Sequence, residues 1–385
     1  MPSDMSSTSL RQTILTQARQ VVVKVGSQLL TGRSSSGLDV SFINTLAFQV
    51  AELMQQGYQI TLVCSGAIAA GCAELGLSRR PTDLADQQAV AAVGQRRLMA
   101  CMHEAFDRHK LPVGQVLLTR GDFDDRVRFL NIRNCINRLH GLGCVPVINE
   151  NDSVAVEEIE ALRVGENDVL AAMICNALRS DALVLLTVVD GLLDESNEVI
   201  DLIDNVSDYI NLSRQDQSQW GSGGMRTKLE AARLVTEAGE IAVIAPGRVK
   251  NILARILCGE KVGSVFVPRD RKLDSRKRWI ALTARPAGTV AIDDGAVKAL
   301  TKQRKSLLAS GVTAITGRFN RGDIVLVRDP AGKELARGLT NYGADELRLI
   351  MGKRSSQFLK ILGRPSYDEV IPRDNLVVLL STSQL

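Results

Sequence analysis

Two lysines occupy settings that ask for anions. Lys24 lies near the end of the β-branched run Val21-Val22-Val23-Lys24-Val25, just before Gly26-Ser27. A lysine in a buried strand is costly unless its ammonium meets a negative charge. The plain alternative is an edge strand from which the side chain snorkels to water. Lys228 ends the segment Gly221-Ser222-Gly223-Gly224-Met225-Arg226-Thr227-Lys228, which leads into the amphipathic stretch Leu229–Ala238. Glycines there let backbone amides close on phosphate oxygens, and the lysine adds charge. The Gly-Lys-Ser/Thr order of a Walker A loop is absent, and a surface turn is the bland reading.

Two further segments end strands in polar groups. Leu62-Val63-Cys64-Ser65-Gly66 opens an alanine-rich helix whose free amides suit a carboxylate or phosphate, or merely a cap. Val145-Pro146-Val147-Ile148 runs into Asn149-Glu150-Asn151-Asp152, and Gly165-Glu166-Asn167-Asp168 precedes the helical pattern Val169–Leu178. One of Asn167 or Asp168 can serve as an N-cap, but so many carboxylates and amides are better explained by a bound amine, a metal or a lysine partner. His103, His109 and His140 lie outside these segments, so neither a serine triad nor a histidine metal pair is indicated. Two lysines, amide-rich turns and carboxylates suit phosphoryl transfer, where the protein positions groups and neutralises charge.

The elements that must hold these residues follow an α/β pattern. Val21–Val25, Ile60–Cys64, Pro112–Leu118, Val145–Ile148, Ala182–Val188 and Ile241–Ile244 read as strands, several of them apolar on both faces. Phe42–Gln56, Asp86–Arg108 and Thr227–Ala238 carry helical spacing between them. This alternation predicts a mainly parallel sheet between helices. The texture changes at Pro268–Arg278, where six residues after Pro268 are Lys or Arg. Beyond it Gly288–Ile292, Thr313–Thr316, Asp323–Val327, Glu334–Leu339 and Leu376–Leu380 read as short strands, with Gly295–Lys305 and Asp345–Met351 as helices. The expected division is a catalytic domain over 1–267, a basic linker over 268–284 and a small β-rich domain over 285–385.

Composition agrees. The 385 residues have room for two or three domains of ~100–200 residues. With 45% hydrophobic and 23% charged residues, the chain is neither disordered nor a disulfide miniprotein. The net +4 conceals a split: 25 basic and 31 acidic residues through Phe266, then 22 basic and 12 acidic. Seven widely spaced cysteines without a Cys-x-x-Cys pair read as reduced thiols, and no apolar run suits a signal peptide or membrane span. A cytoplasmic protein without membrane partners is expected.

Taken in order, VVVKVGS, CSGAIAAG, NENDSV, GENDVLAA, LLTVVDGL and GSGGMRTK resemble the glutamate 5-kinases of the amino acid kinase superfamily, across about Val21 to Val267. DDGAVKAL, SLLASGV, RFNRGDIVLV and KELARGLTNY, from about Ala287 to Gly363, resemble a PUA domain. The resemblance implies the amino acid kinase fold with an appended PUA-like domain, and transfer of the ATP γ-phosphoryl group to the L-glutamate side chain, the first step of proline synthesis. It implies Lys24, Lys228 and Asp168 as catalytic residues, the lysines stabilising the transferring group and Asp168 holding their ammonium groups. Ser65, Asp152 and Asn167 match glutamate-binding positions, with Glu166 and Gly66 nearby. Nucleotide-binding positions are Lys24, Thr187, Val188, Ser222, Gly223, Gly224, Met225, Arg226, Thr227 and Lys228. Mg2+ is implied by ATP, held by phosphates and water with no protein ligand assigned. Val188 stands where the family often has aspartate.

The family is commonly inhibited by proline, and Gly121–Asn134 reads as a sensing or assembly loop or, equally, as a solvated helix start. A homo-oligomer, dimer or tetramer, is expected. Another amino acid kinase is the nearest alternative. RNA is the alternative partner, suggested by the basic second half, although Trp279, Phe319, Tyr342, Phe358 and Tyr367 are its only aromatics.

Overall fold

The computed structural model describes residues 7–31, 37–154, 166–215, 224–268, 275–364 and 366–379. The chain divides into two compact units, Met1–Lys272 and Leu273–Leu385.

In the first unit, the strands β1 (Gln20–Val25), β2 (Gln59–Cys64), β3 (Val113–Leu118), β4 (Val145–Glu150), β5 (Ala182–Thr187), β6 (Leu202–Ile203), β7 (Ile241–Pro246) and β8 (Ser264–Phe266) form one sheet. Its order is β3-β4-β2-β1-β5-β7-β8-β6. From β3 to β7 every pairing is parallel, and β8 runs antiparallel to β7. Five neighbouring pairs thus present their carboxyl ends along one edge. β1 sits centrally, flanked by β2 and β5, and the carboxyl ends of such central strands are where an open α/β sheet binds its ligands. An edge position for Lys24 is therefore ruled out.

Local chemistry explains the connections. Val21, Val22, Val23 and Val25 are buried, as a strand covered on both faces requires. The helix Val40–Gln55 begins where the Asp39 side chain accepts from the Phe42 amide, and the helix Leu84–Asp107 begins likewise at Asp83 and Asp86. Gly66, with φ 101°, turns the end of β2 directly into the helix Ala67–Glu74. That helix lies against Leu84–Asp107 through two glycines. A Cβ at Gly94 would stand 1.8 Å from the Ala67 carbonyl oxygen, and one at Gly71 would stand 1.9 Å from that of Val90.

One helix start changes, one segment resolves to its helix-start reading, and two short strands are new. The helical pattern read over Thr227–Ala238 begins earlier, at Gly224, so Met225 and Arg226 also lie in its opening turn. Much of Gly121–Asn134, read as a loop or a helix start, belongs to the helix Arg126–Gly141, where Asp125 caps the Arg128 amide and Phe129 and Ile132 are buried. The short strands β6 and β8 carry too few residues to show a period.

The second unit has a five-stranded sheet of β9 (Gly288–Ile292), β11 (Val312–Gly317), β12 (Ile324–Arg328), β13 (Glu334–Leu339) and β15 (Leu376–Val378). Their order is β11-β9-β12-β13-β15, and β10 (Leu307–Leu308) pairs separately with β14 (Glu369–Ile371). The helices Asp294–Thr301 and Ala344–Ile350 agree with the sequence reading, although the first stops before Lys305. Leu380, in the last expected strand, lies outside the described residues. Val290, Val325, Val327, Tyr342, Leu347 and Phe358 belong to one core, with Tyr342 edge-on to Phe358 at 6.0 Å between ring centroids. The 268–284 linker is corrected at its C-terminal end. Ser275–Arg278 is helical and continues as a π-helical turn over Trp279–Thr283, with Trp279, Ile280 and Leu282 buried. Arg337 fastens this turn by donating to the Ala281 carbonyl at 2.9 Å.

The Gly94 contact yields a stability prediction. Gly94→Val should force the two helices apart and destabilise the protein by about 3 kcal/mol, at the upper end of ordinary overpacking. Circular dichroism melts should show the loss, and an unchanged melting temperature would refute the close approach.

Candidate functional site

The site is assembled at the carboxyl edge of the parallel strands. β1 delivers Lys24, whose Cα lies opposite Val63 of β2 and Leu185 of β5. The helix Glu166–Leu178 delivers Asp168 from its first turn, and the helix Gly224–Glu237 delivers Thr227 and Lys228. Lys24 Nζ is 2.6 Å from Asp168 Oδ1, and Lys228 Nζ is 3.2 Å from Asp168 Oδ2. Thr227 Oγ1 is 2.9 Å from Asp168 Oδ2, while Lys228 Nζ also donates to the Gly224 carbonyl at 3.0 Å. Asp168 is fully buried and Lys24 is 5% exposed.

The electrostatics follow from that burial. Desolvation alone would raise the Asp168 pKa, but Lys24, Lys228 and the Thr227 hydroxyl outweigh it and hold the carboxyl below its ordinary value. Desolvation lowers the Lys24 pKa, which Asp168 opposes and Lys228 reinforces. Two ammonium groups against one carboxylate leave a net positive charge, to which the first-turn amides of two long helices add. Such a place is made for an anion. Cys64, one residue along on β2, is not a nucleophile here, because burial pushes its thiol to about 12 despite Lys24.

The other predicted residues distribute along the same edge. Ser65 follows β2, and Gly66 caps the next helix without a side-chain hydrogen bond. Asp152 lies just beyond β4, in which Asn149 and Glu150 are buried. Asn167 immediately precedes Asp168, and its buried Oδ1 has no hydrogen-bond partner among the described residues. Thr187 ends β5, while the Val188 side chain is 53% exposed. Gly224, Met225 and Arg226 form the helix's first turn; Ser222 and Gly223 lie outside the described residues, and of Glu166 only the backbone is described. The structure thus brings Lys24, Asp168, Thr227 and Lys228 into contact and sets Ser65, Asp152 and Asn167 on neighbouring strand and helix ends. Sequence reasoning missed one pair: Asn149 Nδ2 donates to Gln95 Oε1 at 2.7 Å. The signal for it was slight, a glutamine following the close-packed Gly94. Among the described residues no group of three or more His, Cys, Asp or Glu is placed to hold a metal, and none of the seven cysteines forms a disulfide.

The buried triad predicts an asymmetric response. Asp168→Ala strands the Lys24 ammonium without its partner and should destabilise the protein by about 3–5 kcal/mol, whereas adding Lys24→Met should recover part of that loss. Chemical denaturation of both variants measures the coupling, and strictly additive losses would contradict it.

Comparison with known proteins places this geometry. Residues 19–245 match the sequence model described as Amino acid kinase family, and residues 288–362 match the PUA domain. A glutamate 5-kinase of Geobacter sp. (strain M21) is 43% identical over 377 residues, covering 96% of this chain and 100% of that protein. Glutamate 5-kinases of Synechococcus sp. (strain JA-2-3B'a(2-13)) and Moorella thermoacetica are each 42% identical, covering 93% and 95% of this chain and 98% and 97% of theirs. Among solved structures, N-acetylglutamate synthase from Neisseria gonorrhoeae, complexed with coenzyme A and N-acetyl-glutamate, shares the fold at a TM-score of 0.50. Its sequence is only 13% identical, and the match covers 70% of this chain and 65% of that one. The family match, together with identities of 42–43% across nearly the whole length, means that the chain belongs to the amino acid kinase family, among the glutamate 5-kinases.

Proposed function

We propose that the chain transfers the γ-phosphoryl group of ATP to the side-chain carboxylate of L-glutamate, forming L-glutamyl 5-phosphate for proline synthesis. The observation that carries this reading is the Lys24–Asp168–Lys228 cluster at the sheet's carboxyl edge, with Nζ to carboxylate distances of 2.6 and 3.2 Å. A glutamate side chain, with an ordinary pKa of about 4.3, is already ionised at neutral pH, so no general base is needed. The obstacle is repulsion between the acceptor carboxylate and the polyphosphate. Lys24 and Lys228 offset it as charge shifts towards the leaving oxygen, and Asp168 fixes both ammonium groups before the substrates arrive.

Ser65, Asp152 and Asn167 bind the acceptor, the Asp152 carboxylate suiting its ammonium group. Thr187, Val188 and the segment Ser222–Lys228 bind the nucleotide. Val188 offers no polar side-chain atom, so recognition there falls to its backbone. Mg2+ accompanies ATP. Both Asp168 oxygens already face lysines, so the charge cluster does not suit a direct protein ligand, and phosphates and water supply the coordination. The ion would supply charge neutralisation on the phosphates.

We further propose a cytoplasmic location, proline as feedback inhibitor and a dimeric or tetrameric assembly. Among the described residues no helix is long and apolar enough to cross a membrane. RNA is the weaker reading of the second unit. Trp279, Phe319, Tyr342 and Phe358 are at most 5% exposed, which leaves Tyr367, at 42%, for base stacking. Proline titration of activity, with the mass measured in solution, should give inhibition and a mass at least twice that of one chain; an unaffected monomer would overturn both proposals.

Mutant kinetics test the assignment. Lys24→Ala and Lys228→Ala should each lower kcat by about 10²–10³-fold, the loss typical of a group that stabilises transition-state charge. Asp152→Ala should act mainly on the glutamate KM. Near-normal turnover in a lysine variant, or an unchanged glutamate KM in Asp152→Ala, would remove the corresponding role. Parallel assays with L-aspartate, carbamate and N-acetyl-L-glutamate should show L-glutamate as the preferred acceptor.

A further inference from the structure

A chain of amide hydrogen bonds runs from the end of β4 into the helix Leu84–Asp107. The Glu150 amide donates to Asn149 Oδ1 at 2.9 Å, and Asn149 Nδ2 donates to Gln95 Oε1 at 2.7 Å. This sequence fixes both side-chain orientations. With its oxygen taken by a backbone N–H, Asn149 can offer only its NH2, so Gln95 must turn its oxygen to it. The Gln95 Nε2 group is left over. It is buried and has no hydrogen-bond partner among the described residues. An orphaned buried donor is costly, and an acceptor atom from a bound ligand would complete it.

Its location says what that ligand is. Gly94, the preceding residue, packs so closely that a Cβ would meet the Ala67 carbonyl oxygen and the Gly71 nitrogen. Gln95 follows this fixed point of the helix, and Asn149 ties its side chain to the end of the strand that leads to Asp152. A neutral amide N–H2 accepts no ammonium group; it calls for an anionic or carbonyl oxygen. β4 stands two places from β1 in the sheet, about 10 Å from the strand that carries Lys24. L-glutamate has a carboxylate at each end, and the end near Lys24 is the one to be phosphorylated.

We infer that Gln95 is a substrate-positioning residue whose Nε2 donates to the α-carboxylate of the acceptor, at the end remote from phosphoryl transfer, and so selects for an amino acid there. This inference rests on L-glutamate being the acceptor. Gln95 performs no chemistry. It sets the distance between the reacting carboxylate and the lysines and discriminates against acceptors without the α-carboxylate.

The test uses the full chain and two variants. Gln95→Glu keeps an oxygen for Asn149 Nδ2 but replaces the donor with a second carboxylate. Gln95→Met keeps the length and packing and removes the amide, and it carries the test if the buried carboxylate prevents folding. Both should raise the glutamate KM by about tenfold or more, the value of a hydrogen bond to a charged group, while the ATP KM stays within about twofold. A purely structural role through Asn149 would leave Gln95→Glu with the wild-type glutamate KM, and that result would overturn the inference, as would an unchanged KM in Gln95→Met. If the wild-type chain makes no ADP with L-glutamate, the acceptor assignment itself falls and this inference falls with it. If the wild type is active and the variants keep its KM, only the role of Gln95 is lost.

Discussion

The structure depends on one constraint: Asp168, fully buried, must be flanked by cations, and Lys24, almost as deeply buried, must have an anion. Neither charge is tolerable without the other, so β1, the helix Glu166–Leu178 and the helix Gly224–Glu237 have to meet at one point. The second lysine, Lys228, tips the balance to net positive. In the proposed reaction this surplus charge offsets the repulsion between a polyphosphate and an acceptor carboxylate. Binding energy spent on folding this cluster is recovered as preorganisation, because the ammonium groups do not have to be gathered when substrate arrives.

Much of this was legible in the amino-acid sequence because it is written in strong local patterns. A run of valines interrupted by one lysine reads as a buried strand with an unmet charge, and alternation of strands with helical periods predicts a parallel sheet with binding groups at its carboxyl edge. Residue chemistry alone did not select Asp168 from the carboxylates and amides around it; the ordered motifs shared with the family did. Other features were hidden for physical reasons. Glycines disfavour helix, so local propensity hides a helix that starts at Gly224. The basic run 269–278 concealed the buried turn at Trp279, since charge density argues for solvent even where the next residues enter a core. Gln95 and Asn149 are ordinary polar residues in a helix and a strand, and only the fold shows that their amides are linked end to end.

The two units divide the physical work. The first holds a charge cluster made of few residues, whose power comes from burial and placement and not from net charge, which is mildly acidic through Phe266. The second encloses Phe319, Tyr342 and Phe358 in its own core, with Tyr342 edge-on to Phe358.

The proposed transfer leaves an acyl phosphate on the acceptor. Hydroxylamine trapping tests it most directly, since an acyl phosphate yields a hydroxamate and most other phosphoryl acceptors do not. With ATP, Mg2+ and L-glutamate, γ-glutamyl hydroxamate should form in amounts matching the ADP released, and none should form when L-glutamate is omitted. ADP release that depends on L-glutamate yet yields no hydroxamate would contradict it.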